Sequence, residues 1–314
     1  KGEKQPQVIR EEFGLTFAEF DQAFHTWAKD QINTWGFGLT PPEEVATVRA
    51  ELEKDDNNPA ILGRLAQALF DAEDFQKAFD VSRQTLELDP NQPLALEVLV
   101  RVTASLARQE SDPEIRRAYE AEATPALDRL LQIDPDNEYA LRYGAHIALR
   151  HEDQKRAETL LIRLQAVCPM DPTSWNGLAG IYLDREENDR AIPQLLELTR
   201  LVSDDHEIRA ELGRLYRRSG RLRDAQYWYR QALAINPFDV DYHEAYGDVC
   251  MQAGDARTAL TEYRWLTKFE PDVADHFAKA AFAAKRLGDK KQMRTFATKA
   301  IALDPNSPAK ALLD

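Results

Sequence analysis

"ELGRLYRRSGRLRDAQYWYRQALAINP", Glu211 to Pro237, is rich in arginine and dense in aromatic side chains. It lies in a 314-residue chain with 54 acidic and 40 basic residues and a formal net charge of -14. Such a stretch is either a nucleic-acid-binding patch or the packing face of a repeated unit. The two readings lead to different functions, and the spacing of the residues separates them.

Proline supplies the ruler. Pro135, Pro169, Pro237, Pro271 and Pro305 fall on marks 34 residues apart, with Ser203 on the vacant mark. Each closes a helix-like run such as LQIDP, KFEP or ALDP. Pro90, in LELDP, stands 45 residues before Pro135, one period plus an 11-residue insertion. A period of this length that carries two amphipathic helices is the signature of a helical solenoid. Proline after the second helix forbids its continuation, and Pro93, Pro172 and Pro308 stand where the next helix starts, a position that tolerates a missing N–H. Gly220, Gly254 and Gly288 share position 15 when the closing proline is counted as 32. That position is the turn between the two helices, where a positive φ is expected.

The content of the period resembles the tetratricopeptide repeat family. One repeat reads Trp175, Leu178, Ala179, Tyr182, Ala191, Leu195 and Leu198, and the next Leu212, Gly213, Tyr216, Ala225, Tyr229 and Ala232. A third has Tyr246, Gly247, Ala259 and Tyr263. Small residues at positions 8 and 20 let the two helices approach, and large ones at 4, 7, 11 and 24 fill the space between neighbouring pairs. The resemblance implies an all-α fold, a right-handed superhelical α-solenoid of about seven helix-turn-helix repeats over residues 59–305. The repeats are expected at 59–92, 93–137, 138–171, 172–205, 206–239, 240–273 and 274–305, with a capping helix beginning at 306–314. The second holds an insertion near 107–118, where Ser111 or Asp112 before Pro113 reads as a helix start that lengthens the second helix or adds a turn. Pro125 and Pro193 share one repeat position and are expected in the first turns of their helices. Met293 at the normally small position 20 is expected to loosen the final repeat.

On this ruler the arginine stretch resolves. Tyr216 and Tyr229 occupy packing positions, and Tyr227 and Trp228 are expected against the adjoining repeat, so the aromatics are not nucleobase platforms. An acidic surface also repels phosphate backbones, and no nucleic-acid partner is expected. Arg221 and Arg223 read as solvated turn residues, whereas Arg214, Arg217 and Arg218 fall at positions that line the inner groove in this family. The third repeat places Arg142, His146 and Arg150 on one helix face, with Tyr139 and Tyr143 close by. The fourth contributes Asn176 and the open space of Gly177 and Gly180. The sixth turns acidic at Asp241, Glu244 and Asp248, and the seventh is basic at Lys285 and Arg286. Arg142, His146, Arg150, Asn176, Arg214, Arg217 and Arg218 are therefore the candidate partner-binding residues, suited to gripping an acidic or C-terminal carboxylate peptide. The other outcome for the same cations is internal pairing of Arg142 or Arg214 with Glu or Asp on the next helix. The family's carboxylate clamp uses a fuller Lys/Asn pattern than this sequence has.

Residues 1–35 stand outside the period, and 36–58 read as a linker and degenerate half-repeat with a helix from about Pro42 to Lys54. Phe13, Phe17, Phe20, Phe24 and Trp27 recur at helical spacing, an aromatic face that calls for a partner. Thr16 with Glu19 reads as a capping box. This segment resembles the closing part of peptidase MA-like (gluzincin) domains, which in bacterial proteins are often followed by tetratricopeptide repeats. The resemblance implies a zinc peptidase or pseudopeptidase upstream, with this chain as its recruiting arm. A capping helix for the solenoid is the alternative. Lys1 in place of a methionine leads us to expect a fragment or processed product, with any targeting signal upstream.

The chain itself lacks the residues of an enzyme. A zincin needs His-Glu-x-x-His on one helix, and the His-Glu pairs at His151, His206 and His243 have no histidine at the fifth place. No Gly-rich phosphate loop or Gly-x-Ser-x-Gly elbow occurs. Cys168 and Cys250 are too far apart in sequence for a Cys-x-x-Cys site. We therefore expect no catalysis, cofactor or metal, but a scaffold for a protein or peptide partner. No apolar run approaches the roughly 18 residues that span a bilayer, which leaves cytoplasm and periplasm both open.

Overall fold

The computed structural model describes residues 9–10, 13–34 and 42–313. Among them every regular element is helical, the all-α class expected. The chain divides into two compact units, 1–102 and 103–314, with the boundary inside one helix. The first holds α1 (Phe17–Thr34), α2 (Val45–Leu52), α3 (Pro59–Asp71), α4 (Phe75–Leu88) and the start of α5 (Pro93–Gln109). The second holds the end of α5 and α6 (Pro113–Ile133), then α7 (Glu138–Arg150) with α8 (Gln154–Val167) and α9 (Pro172–Asp184) with α10 (Asn188–Leu201). It continues through α11 (His206–Arg218) with α12 (Leu222–Ile235), α13 (Val240–Ala253) with α14 (Ala256–Phe269), and α15 (Ala274–Arg286) with α16 (Lys290–Leu303). Stretch 306–314, expected to begin a capping helix, holds the single 3-10 turn Pro308–Leu312. From α7 onward each helix packs on its pair partner, and each second helix on the first helix of the next pair. That is an α-solenoid.

The local chemistry explains the punctuation. Asn58, Asn137, Asp171, Asp205 and Asp239 accept hydrogen bonds from the first free amides of α3, α7, α9, α11 and α13. Helices α3, α6 and α9 begin on proline, which gives up only an amide that has no helical partner. First helices other than α5 end in a Schellman turn: the Arg221 amide donates to the Tyr216 carbonyl at 2.9 Å, and the Asp255 amide to Cys250 at 2.8 Å. The left-handed residue in that turn is Gly220, Gly254 or Gly288, at φ 73°, 86° and 75°. In the turns after α3, α7 and α9 the same place is held by Glu73, Glu152 and Glu186, also at positive φ. The sequence gives no sign of this, since the glycine that marks such a turn is absent.

The core lies between the helices of each pair. Gly213 leaves room for Tyr229, and Gly247 for Tyr263; a methyl group on either glycine would sit 2.9 Å and 2.6 Å from the ring. Where position 24 is Leu161 or Leu195, the facing residue is Ala145 or Ala179, and all four are buried. Leu212 and Leu215 are fully enclosed beside Tyr216 and Tyr229. Trp228 packs against this cluster as expected, but Tyr227 stays exposed, edge-on to Trp228. Met293 packs on the cluster of Cys250, Leu266 and Ala284, so its bulk is filled space where a looser repeat was expected.

Two expectations need correction. The insertion lengthens both helices around it: α5 has 17 residues and α6 has 21, where α11 has 13 and α12 has 14. Asp112 is the residue that caps α6, accepting from the Glu114 amide at 2.8 Å. Pro125 and Pro193 lie inside α6 and α10, beyond their first turns, because those helices start earlier than the prolines imply. Each removes one helical hydrogen bond.

At the amino terminus Thr16 and Glu19 form the capping box, with the Thr16 amide donating to Glu19 at 2.7 Å and the Glu19 amide to Thr16 Oγ1 at 3.3 Å. No described residue covers the aromatic face that runs from Phe13 into α1: Phe13, Phe17, Phe24 and Trp27 are half or more exposed. The expected helix from about Pro42 to Lys54 is the shorter α2. The break between it and α1 falls largely on residues 35–41, outside the described residues, as do 1–8, 11–12 and 314.

Candidate functional site

The candidate residues all lie on first helices of the second unit. Their helices bury one stripe, exemplified by Leu141 and Ala148 in α7 and Leu212 and Leu215 in α11, and turn the opposite stripe outward. Ion pairs link that outward stripe from one repeat to the next. Arg217 of α11 stands 3.8 Å from Asp248 of α13, and Lys279 of α15 donates to Glu244 at 2.6 Å and Asp248 at 3.1 Å. Tyr263 adds a hydrogen bond to the same Asp248 carboxylate at 2.8 Å. Positions 5, 9 and 12 of neighbouring first helices therefore share one surface.

Most of the arginines expected there are occupied. Arg142 Nε donates to Asp171 at 2.9 Å, where Asp171 also caps α9. Burial works against the Arg142 charge and Asp171 restores it, so the guanidinium titrates above its ordinary range. Arg150 donates to Glu120, a buried carboxylate on α6 that His151 also approaches at 3.3 Å. Arg214 forks onto Glu211, one turn back on its own helix. Arg217 shares Asp248 with Lys279. Internal pairing thus occurs for Arg142, with the cap residue of the next first helix, whereas Arg214 pairs within its own helix and not with the next one.

Three candidates stand apart. Asn176 and Arg218 are exposed, and no hydrogen bond or ion pair among the described residues engages their side chains. His146 stacks on Tyr143 with ring planes 15° apart, and desolvation with the nearby Arg150 charge lowers its pKa, so it is neutral at physiological pH. Gly180 is exposed in the middle of α9, and Gly177 faces inward against Leu161.

Two participants escaped the sequence reading. Lys279 was legible in principle, since it lies about one period from both Glu244 and Asp248. Glu120 lies 30 residues before Arg150 with no insertion between them, at the repeat position where the other second helices begin, and a count within first helices passes over it. Among the described residues no cluster of three or more His, Cys, Asp or Glu side chains could hold a metal ion. No helix among them is long and apolar enough to cross a membrane.

The fold and this surface define a helical-repeat protein. Residues 144–206, 178–240 and 210–273 match the tetratricopeptide repeat model. Two curated proteins are similar to the chain. "Anaphase-promoting complex subunit 3" of Schizosaccharomyces pombe is 22% identical over 250 residues, 71% of this chain and 37% of that protein. "Protein CTR9 homolog" of Arabidopsis thaliana is 24% identical over 261 residues, 80% of this chain and 23% of that protein. The chain therefore spans well under half the length of either relative. Among solved structures, YrrB, described as "a TPR protein with an unusual peptide-binding site", superposes with a TM-score of 0.49 at 16% identity, covering 60% of this chain and 97% of that one.

Proposed function

We propose that this chain is a non-catalytic interaction scaffold that binds an acidic protein or peptide segment on the first-helix surface of its second unit. One observation carries the reading. Asn176 and Arg218 face solvent without a partner among the described residues, on a surface where neighbouring polar side chains are tied into ion pairs. A side chain already satisfied gains little from a ligand, whereas an unengaged amide and guanidinium can form charge-assisted and amide hydrogen bonds at little cost. The half-exposed Arg142, Arg150, Arg214 and Arg217 lie on the first helices of the same unit and can share their charge with a partner, and His146 adds a neutral ring there. Repeat scaffolds serve many functions, so the argument rests on these residues and not on the fold. A photo-crosslinking amino acid placed at Asn176 or Arg218 is expected to yield a covalent adduct with the partner in the source cell. The same label at Arg117 or Arg200, on second helices, is expected to yield none. Labelling from the second-helix sites alone would contradict the proposal.

A second reading makes the chain the recruiting arm of a larger zinc metallopeptidase or pseudopeptidase. The observation that favours it is the exposed aromatic face of α1, which no described element covers. Sequencing the parent gene upstream of Lys1 tests it: a His-Glu-x-x-His motif supports this reading, and an unrelated segment removes it.

A further inference from the structure

Glycine inside a helix costs about 1 kcal/mol against alanine unless a neighbour leaves no room for a methyl group. Most helical glycines of this chain have such a neighbour. A methyl would meet Gln92 at Gly63, Leu160 at Gly144, Leu161 at Gly177, Tyr229 at Gly213 and Tyr263 at Gly247, each within 3.1 Å. Gly180 differs. It is the ninth residue of α9, it is exposed, and a methyl there would meet nothing within 4 Å. Nothing among the described residues explains a glycine at that point.

Its surroundings suggest what does. The same repeat position carries His146 in α7 and Arg214 in α11, so the outward surface dips at α9 between two large side chains. One helical turn before Gly180, the Asn176 carboxamide is exposed and forms no hydrogen bond with any described residue. On α11, Arg218 presents a guanidinium with no carboxylate partner there. A small-residue dip and an unengaged amide on α9, and an unengaged cation on α11, therefore occupy two successive first helices.

We propose that Gly180 seats a partner's main chain. An extended peptide segment crosses α9 over Gly180, its peptide groups meet the Asn176 amide, and an acidic side chain reaches Arg218. This rests on the binding surface proposed above and adds the residue that sets how closely a ligand can approach. A side chain at position 180 would hold the peptide away from the helix by the length of that side chain, which breaks both contacts together.

The test separates binding from folding. Gly180→Ala and Gly180→Met should leave thermal stability equal or higher, because open space and better helix propensity both favour them. Wild type is used to select binders from a phage-displayed random dodecapeptide library. The selected peptides are expected to carry Asp or Glu and to lose about tenfold or more in affinity for Gly180→Met, and less for Gly180→Ala. If the selected peptides bind all three proteins equally yet fail to bind Arg218→Glu, the role of Gly180 is overturned and the surface proposal stands. If no peptide is enriched, or enriched peptides ignore both Gly180→Met and Arg218→Glu, both proposals are overturned.

Discussion

A methyl group on Gly213 would sit 2.9 Å from the Tyr229 ring, while the corresponding pair in the preceding repeat, Ala179 with Leu195, is buried without conflict. Glycine and tyrosine at positions 8 and 24 thus form a matched pair, as do alanine and leucine. Gly213→Ala should destabilise the second unit by about 1–3 kcal/mol, the cost of overpacking, against a helix-propensity gain of about 1. Adding Tyr229→Leu should recover part of that loss, and a double-mutant cycle from denaturant melts measures the coupling. Independent, additive effects would contradict the matched-pair account.

The glutamates at the helix turns should behave in the opposite way. Glu152 and Glu186 hold φ values of 59° and 56°, a region costly for any residue with a Cβ. Glu152→Gly and Glu186→Gly are each expected to stabilise by about 0.5–1 kcal/mol, read as a higher denaturant midpoint at unchanged slope. Destabilisation would mean that the glutamate side chains contribute more than the backbone strain removes.

Much of the architecture can be read from residue types alone. Closing prolines, position-15 glycines and Asx caps mark helix ends because each imposes a backbone conformation that no other residue type supplies as readily. Glu73, Glu152 and Glu186 hide the same turn, since the helices on either side of it pack on each other and fix its backbone whatever residue stands there. Pro125 and Pro193 misled for a related reason: a proline marks a helix start only where the helix gains nothing by beginning earlier. The candidate surface was legible in position but not in state. Arg214 with Glu211 could be read from one-turn spacing, whereas Arg150 with Glu120 joins a first helix to the second helix of the preceding repeat, a pairing that the period alone does not single out.

That last pair makes the arginines unequal in stability. Glu120 is 2% exposed and Arg150 pairs with it, so Arg150→Ala leaves a buried carboxylate with only the long His151 contact and should cost about 1–3 kcal/mol. Arg218→Ala has no such partner among the described residues and should change stability by less than about 0.5 kcal/mol. Thermal melts of the two variants check the contrast, and equal losses would contradict it.

His243 should couple stability to pH. Nδ1 lies 2.6 Å from Glu262, Nε2 lies 3.1 Å from the Pro237 carbonyl oxygen, and the ring stacks on Trp265 at 3.8 Å. Burial alone would lower its pKa, but the bond to Glu262 and the one to Pro237 outweigh it and raise the value above the ordinary 6.5. Two acceptors on one ring call for the doubly protonated form. A raised folded value gives stability that is fully present below the unfolded pKa and is lost as pH rises through the folded one. The stability gap between wild type and His243→Gln should therefore be widest near about pH 5 and shrink toward about pH 9. A gap that widens with rising pH would contradict the assignment.

The most direct test of the central claim is quantitative capture of partners from the source cell with two charge-matched variants. One carries Arg214→Glu and Arg218→Glu on the first-helix surface, and the other Arg117→Glu and Arg200→Glu on second helices, each confirmed as folded by circular dichroism. The account predicts that a partner retained by wild type is lost by the first variant and kept by the second. Equal retention by both, or loss confined to the second, would contradict it.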